Sequence, residues 1–291
     1  MNNLVGKNDL GFYELLNKPS EEELADYYST KYYQEEHAIY RSQYSREELQ
    51  FFDNKNEQRY QIISELQSNG DRFLDIGCGE GYMLEFFRKK DWTILGLNFS
   101  EFGCSKMNPQ SVPYLMVGNI YENMRRLEQH GETFDVIALT NVLEHVLDPI
   151  ALLKNIRELS HKDSILVITV PNDFSLFQKF LTDQNFINDQ FWVAAPDHIS
   201  YFEKNSLEKA CEFGGWLQRD LIADFPIDLF LANKQSNYVL DRSKGKDAHL
   251  SRIKLDNYLS GFPLKDVNNF YRGMAKVGLG RNIIGFYKIK E

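Results

Sequence analysis

A carboxylate followed by three glycines at alternate positions, Asp75-Ile76-Gly77-Cys78-Gly79-Glu80-Gly81, and two histidines further on, His145 and His198, are the residues whose types and spacing suit chemistry. Glycine adopts positive φ and lets a ligand lie against bare backbone. The glycines follow the apolar run Arg72-Phe73-Leu74 and precede Tyr82-Met83-Leu84-Glu85-Phe86-Phe87, which has helical spacing. A strand-to-helix turn of this kind aims free backbone N–H groups and the positive end of a helix dipole at a ligand. At the carboxyl end of a parallel strand it is where open α/β sheets bind nucleotides. The bland alternative is a plain turn before a helix. The histidines suit proton removal near neutral pH.

These residues need a scaffold, and the chain supplies an alternating one. Strands are expected at 72–77, 93–98, 114–119, 134–141 and 164–171, most of them separated by helical patterns, which argues for βαβ units and a parallel sheet. Apolar positions Ile150, Leu153, Ile156 and Leu159 mark one face of a helix with Pro149 in its first turn. Asn205-Ser206-Leu207-Glu208 reads as a capped helix start, and Gly214-Gly215 as its end. Two more strands are expected near 216–224 and 282–289.

The fold class expected is α/β: a Rossmann-like seven-stranded, mostly parallel sheet. The divisions are an N-terminal helical cap at 1–68, a core at 69–224, a helical insert at 225–280 and the last core strand at 281–291. Within the cap, Ser20 before an acidic turn is a helix start. Tyr27, Tyr28, Tyr32, Tyr33, Tyr40 and Tyr44 either pack helices together or wall a pocket. In the insert, Leu250, Ile253, Leu255, Tyr258, Val267, Phe270 and Tyr271 suggest two helices, and 243–247 an exposed loop. A lid, an acceptor wall and a homodimer contact are all open to it.

Dinucleotide folds place the third glycine three residues after the second; here the interval is two. Acid, then alternating glycines, resembles motif I of the class I S-adenosylmethionine-dependent methyltransferases, and the resemblance implies that the seven-stranded sheet has an antiparallel edge strand. Leu143-Glu144-His145-Val146-Leu147-Asp148-Pro149 is similar to the ubiquinone-biosynthesis-like branch of that family. Pro196-Asp197-His198-Ile199-Ser200-Tyr201-Phe202 resembles methyltransferases of bacterial sugar and surface-polysaccharide pathways. The resemblance implies that S-adenosyl-L-methionine is bound, and S-adenosyl-L-homocysteine released, by Asp75, Gly77, Cys78, Gly79, Asn98, Phe99, Asn119, Ile120 and Asn141. It implies that Arg41, beside Tyr40, pairs with the cofactor carboxylate. Asn98 and Asn119 stand where the family often has acids for the ribose hydroxyls and the adenine amino group. Asn keeps the hydrogen bond without its charge; alternatively both make Asx turns after strands.

For a hydroxyl acceptor the resemblance makes His145 or His198 the base, against the plainer reading that each is packed under its loop. Some quinone-pathway relatives bind a divalent metal near this point, but Thr140 and Asn141 replace a wanted carboxylate and hard cations prefer several oxygen ligands, so no metal is expected. The net charge of −9 argues against a nucleic-acid partner. The three cysteines, Cys78, Cys104 and Cys211, form no C-x-x-C pair and suit a reducing compartment. Residues 1–9 lack an apolar signal region and no run approaches membrane-spanning length, so a cytoplasmic protein with no membrane partner is expected.

The leading expectation is a methyltransferase acting on a hydroxyl of a sugar or sugar nucleotide. The alternatives are an N-, C- or phenol methyltransferase of quinone or secondary metabolism, and a non-catalytic cofactor-binding partner protein.

Overall fold

Alternate residues of one strand show how the sheet is covered. In β3 (Arg72–Ile76), Leu74 and Ile76 enter one buried cluster while Phe73 enters another, on the opposite face. Asp75 therefore points to the same face as Phe73. The computed structural model describes residues 3–24, 26–27, 43–67 and 69–290. Tyr28, Tyr32, Tyr33, Tyr40 and Arg41 lie outside the described residues.

The main sheet has seven strands in the order β5 (Leu115–Val117), β4 (Thr93–Asn98), β3, β6 (Phe134–Thr140), β7 (Ser160–Pro171), β10 (Asn282–Ile289), β9 (Trp216–Ala223). The pairings from β5 across to β7 are parallel. β10 runs antiparallel to both β7 and β9, so the reversed strand lies one place in from the edge rather than at it. Reversal puts the start of β10 at the same end of the sheet as the ends of β6 and β7, since Asn282 pairs with Pro171.

One face is covered by α4 (Ile120–Gln129), α5 (Pro149–Glu158) and α7 (Lys204–Phe213), whose Leu127, Leu152, Leu153, Ile156, Leu207 and Ala210 share a cluster with Leu74, Ile137 and Leu166. The helix expected from the 150–159 pattern is α5, with Asp148 as its cap and Pro149 in its first turn. In α7 the cap is Glu203, not a residue of 205–208; Glu203 and Ser206 form the reciprocal box. The other face carries α1 (Arg46–Leu66) and α2 (Tyr82–Lys89), with Ile62, Ile63, Phe86 and Phe87 against Phe73, Val136 and Val167.

The insert does contain two helices, α8 (Gly245–Leu259) and α9 (Leu264–Lys276), both touching α1. Helix α8 begins at Gly245 after a single turn at Arg242–Lys244, so the loop expected at 243–247 is mostly structured. Lys55 of α1 bonds Asp256 of α8 at 2.7 Å, and Tyr271 of α9 donates to the same carboxylate at 2.8 Å. Burial lowers the Lys55 pKa. Both contacts fall on Asp256 Oδ1, and a buried pair of this kind ties its elements together, because losing one partner strands the other charge.

The helical expectation for the N-terminal region fails at its start. Strands β1 (Val5–Lys7) and β2 (Tyr13–Leu15) form a hairpin, and β2 pairs with β8 (Ser200–Tyr201). The Asn8 side chain accepts from the N–H of Leu10 and Gly11, and Gly11 has φ +93°, which turns the chain. Leu15 N–H donates to Ile199 O, so the hairpin is fastened directly beside His198. No described helix is long and apolar enough to cross a membrane.

Candidate active site

The glycine turn forms as its composition requires. Gly77, Gly79 and Gly81 have φ of +74°, +54° and +76°. A Cβ on Gly77 would sit 2.5 Å from Val142 Cγ2 and one on Gly81 2.8 Å from Cys104 Sγ, whereas one on Gly79 would meet nothing within 4 Å. The N–H groups of Gly77 and Cys78 both donate to Leu97 O, tying the turn to β4. What these residues offer a ligand is therefore bare backbone, most openly at Gly79, rather than those two donors.

The turn opens into a cavity of about 420 Å³. Its lining follows the sheet order: Asp75, Gly77, Cys78 and Gly79 at β3, Thr140 and Asn141 at β6, Thr169 at β7, Asn282 and Ile284 at β10, Ala223 and Asp224 at β9. Helix α1 roofs it with Phe51, Phe52, Lys55, Gln58 and Arg59, and α8 closes the far end with Arg252. Tyr44 closes the near end, donating to Glu80 Oε2 and Oε1 at 2.9 and 3.1 Å.

Electrostatics differ along its length. Asp75 is buried, its Oδ1 has no hydrogen-bond partner, and burial pushes its carboxyl up to about 7, with Arg59 pulling it down. Burial raises Glu80 as well, opposed by the Tyr44 bond. The Cys78 thiol is pushed up by burial and stays protonated. At the insert end, both Asp224 oxygens accept at 2.7 Å from Asn282, one from the backbone and one from the amide.

Of the residues expected to bind cofactor, Asp75, Gly77, Cys78, Gly79 and Asn141 line the cavity, and Asn141 itself has φ +53°. Asn98, Phe99, Asn119 and Ile120 lie beyond it, at and after the carboxyl ends of β4 and β5. Asn98 is buried and donates to Ser100 O at 2.6 Å. Asn119 Oδ1 accepts from Tyr121 and Glu122 N–H, capping α4, so the oxygen expected to meet an adenine amino group is engaged as a cap. Phe99 is exposed and Ile120 half-buried.

The histidines come together, 52 residues of separation notwithstanding for the contact of His145 Nδ1 with Asp197 O at 2.7 Å. His145 and His198 meet edge to face, ring centres 4.8 Å apart. Neither is among the residues that line the cavity, although Asn141 of the same loop is; Leu143 and Val146 anchor the loop in the apolar cluster. Beneath them Glu144 is 1% exposed with no hydrogen-bond partner for either oxygen, and burial pushes it up to about 8. His145 Nε2 lies 3.8 Å from Glu144 Oε1. Donor atoms of Glu144, His145 and His198 all fall within 4.8 Å of one another. Two imidazoles and one carboxyl do not suit the oxygen-rich shell of a hard cation, though they are the donor types a borderline ion such as zinc takes; Asn141 lines the cavity instead.

Sequence reasoning missed Gln58, Arg59, Thr169, Asp224 and Arg252. One signal was legible: Phe51, Lys55, Gln58 and Ile62 lie at helical spacing on the buried side of α1, so two polar residues interrupt an apolar stripe.

The parallel sheet, the switch from β3 into a glycine turn and the unpartnered acid beside it define a class I S-adenosylmethionine-dependent methyltransferase fold and site; bare backbone at Gly79 and the Asp75 acceptor fit that cofactor. A family model described as a methyltransferase domain matches residues 40–217, and the chain belongs to that family. The ubiquinone biosynthesis O-methyltransferase of Coxiella burnetii is 24% identical over 157 residues, 53% of this chain and 67% of that protein. Its namesake from Parvibaculum lavamentivorans is 31% identical over 102 residues, 35% of this chain and 40% of that one. The solved structure of Burkholderia thailandensis 1,6-didemethyltoxoflavin-N1-methyltransferase, with that substrate and S-adenosylhomocysteine bound, matches with a TM-score of 0.53 at 12% identity over 99% of both chains, a likeness of fold. The protein is an S-adenosylmethionine-dependent methyltransferase.

Proposed function

We propose that the enzyme methylates a hydroxyl, on a sugar or sugar nucleotide of surface-polysaccharide biosynthesis, with His198 as the base and His145 holding it. When bound, S-adenosylmethionine supplies a methyl already activated on a sulfonium, so the chain must orient the acceptor and take its proton. The observation carrying this reading is the edge-to-face histidine pair. The His145 Nδ1 contact with a carbonyl oxygen requires a proton on Nδ1, which fixes the ring. His198 is held through its backbone: its N–H donates to Ala194 O and its carbonyl accepts from Tyr201 OH at 2.8 Å.

Asp75, Gly77, Cys78, Gly79 and Asn141 would hold the amino-acid end of the cofactor, with Asn98, Phe99, Asn119 and Ile120 toward the adenosine end. Arg41 stays the proposed partner of its carboxylate. This reading assigns His145 and His198 to acceptor chemistry rather than to metal ligation. The net charge of −9 supports the absence of a nucleic-acid partner, and three cysteines without a C-x-x-C pair support a cytoplasmic enzyme. A second reading, phenol O-methylation, is favoured by the ubiquinone-pathway relatives and by Phe51 and Phe52 over the cavity.

The test is methyl transfer from labelled S-adenosylmethionine to a panel of nucleotide sugars and phenols, with product mass as readout. A methylated nucleotide sugar supports the first reading and a methylated phenol the second. With the active acceptor, His198→Ala should lower kcat by roughly 10²- to 10⁴-fold, with S-adenosylhomocysteine binding intact. Unchanged turnover would remove His198 from the chemistry.

A further inference from the structure

Resting on the methyl-transfer reading of the glycine end, we propose that the insert end of the same cavity is an oxyanion subsite: Arg252, Arg59 and the Gln58 amide bind a phosphate or carboxylate group carried by the acceptor.

Buried donors without partners point there first. Gln58 is 1% exposed; Lys55 Nζ donates to its Oε1 at 3.2 Å, which leaves Nε2 as the opposite end of the amide, and Nε2 has no hydrogen-bond partner. Arg252 Nε is also buried and unpartnered. A buried N–H left unsatisfied costs on the order of 1–3 kcal/mol, so two lining one cavity, from α1 and from α8, call for an acceptor-rich ligand.

Charge selects an anion among such ligands. Lys55 is engaged with Asp256, and Asp224 is saturated by Asn282. The two guanidiniums have neutral partners instead. Arg59 Nη1 donates to Asn56 Oδ1 at 3.0 Å, and Arg252 Nη2 meets His249 Nδ1 at 3.3 Å while its guanidinium lies 5.2 Å from the centre of the Phe51 ring. Among the described residues neither forms an ion pair with a carboxylate. Asp224 and Asp75 act on Arg59 at longer range, and Arg252 acts on Asp224. The acids Asp75 and Glu80 thus mark the cofactor end, where a cationic ligand belongs; Arg59, within range of both Asp75 and Asp224, stands between the ends, and Arg252 supplies the guanidinium at the insert end. Guanidinium is always charged and matches carboxylate or phosphate with paired donors.

Position agrees. From β3 to β9 the lining crosses four strand intervals, on the order of 19 Å at about 4.8 Å each, enough to separate two ligands. Arg252, Asp224 and Asn282 also lie outside the residues matched by the family model, as expected of an acceptor-selecting element.

The experiment uses the whole chain saturated with S-adenosylhomocysteine, titrated with inorganic phosphate or with acetate at constant ionic strength against chloride, by calorimetry and thermal shift. Wild type should bind at least one of them above the chloride control. Arg252→Gln should weaken that binding at least tenfold, Arg252→Lys should restore part of it, and the S-adenosylhomocysteine dissociation constant should stay within twofold. A phosphate response marks a phosphorylated acceptor and an acetate response a carboxylic acid. If Arg252→Gln does not fold, Gln58→Glu, which places a carboxylate in the subsite, should abolish the response. No response in wild type, or an unchanged one in the folded variants, overturns the proposal. So does a tenfold loss of S-adenosylhomocysteine affinity in Arg252→Gln, which would give the guanidinium to the cofactor. Wild type that fails to bind S-adenosylhomocysteine at all would instead sink the methyl-transfer reading beneath it.

Discussion

Asp75→Asn separates the binding role of this carboxyl from its cost to the fold. Asp75 is buried on the α1 face with one oxygen unpartnered, and its carboxyl titrates at about 7. A cofactor ammonium placed beside it favours the ionised form, so binding below pH 7 must expel a proton. Affinity for S-adenosylhomocysteine should then fall tenfold per pH unit below 7, about 100-fold weaker at pH 5 than on the alkaline plateau, or about 3 kcal/mol. Calorimetry in two buffers of different ionisation enthalpy should detect nearly one proton released per ligand at pH 6 and almost none at pH 9. Asp75→Asn should bind weakly with no pH slope. In the absence of ligand the sign reverses. A raised pKa in the folded state means that the stability contribution is present below the unfolded value near 4 and is lost as pH rises through about 7. Over about three units that is roughly 4 kcal/mol, so the unliganded Asn variant should melt higher than wild type at pH 8. A wild-type affinity flat from pH 5.5 to 8.5, or a slope that survives in Asp75→Asn, would refute the reasoning.

Glu144 gives a second pH window. Its carboxyl titrates at about 8 in the fold, so its contribution is lost between about pH 4.5 and 8, on the order of 5 kcal/mol. Glu144→Gln should match wild type in stability near pH 4 and exceed it increasingly up to pH 8, as followed by denaturant melts; a constant difference across that range would argue against a buried neutral acid. In the turn, Gly77→Ala meets Val142 at 2.5 Å as well as positive φ, and should destabilise by roughly 2–4 kcal/mol in a melt. Gly79→Ala meets only positive φ, roughly 1–2 kcal/mol, yet its methyl stands in the cavity, so titration should show S-adenosylhomocysteine affinity falling further than stability does.

Glycines 77, 79 and 81, strands 93–98 and 282–289, and helix α5 were legible because their causes are local: positive φ, two-residue alternation, and a cap with proline in the first turn. The N-terminal hairpin was less so, since its strands are three residues each and are held by β8, far along the chain. Asn119 shows the limit at one residue. The same side chain can meet a ligand or cap a helix, and only the placement of Tyr121 and Glu122 N–H determines that it caps.

The sequence by itself determined the class of enzyme, because a glycine turn after a buried strand is written in neighbouring residues. Tertiary structure alone decided what surrounds it. Gln58, Thr169, Asp224 and Arg252 converge on one cavity because strand alternation and the packing of α1 and α8 bring distant positions to the same sheet face. His145 and His198, 53 positions apart on two loops, meet only because the loop after β6 and the loop before β8 fold against each other, and a distance along the chain carries no record of that.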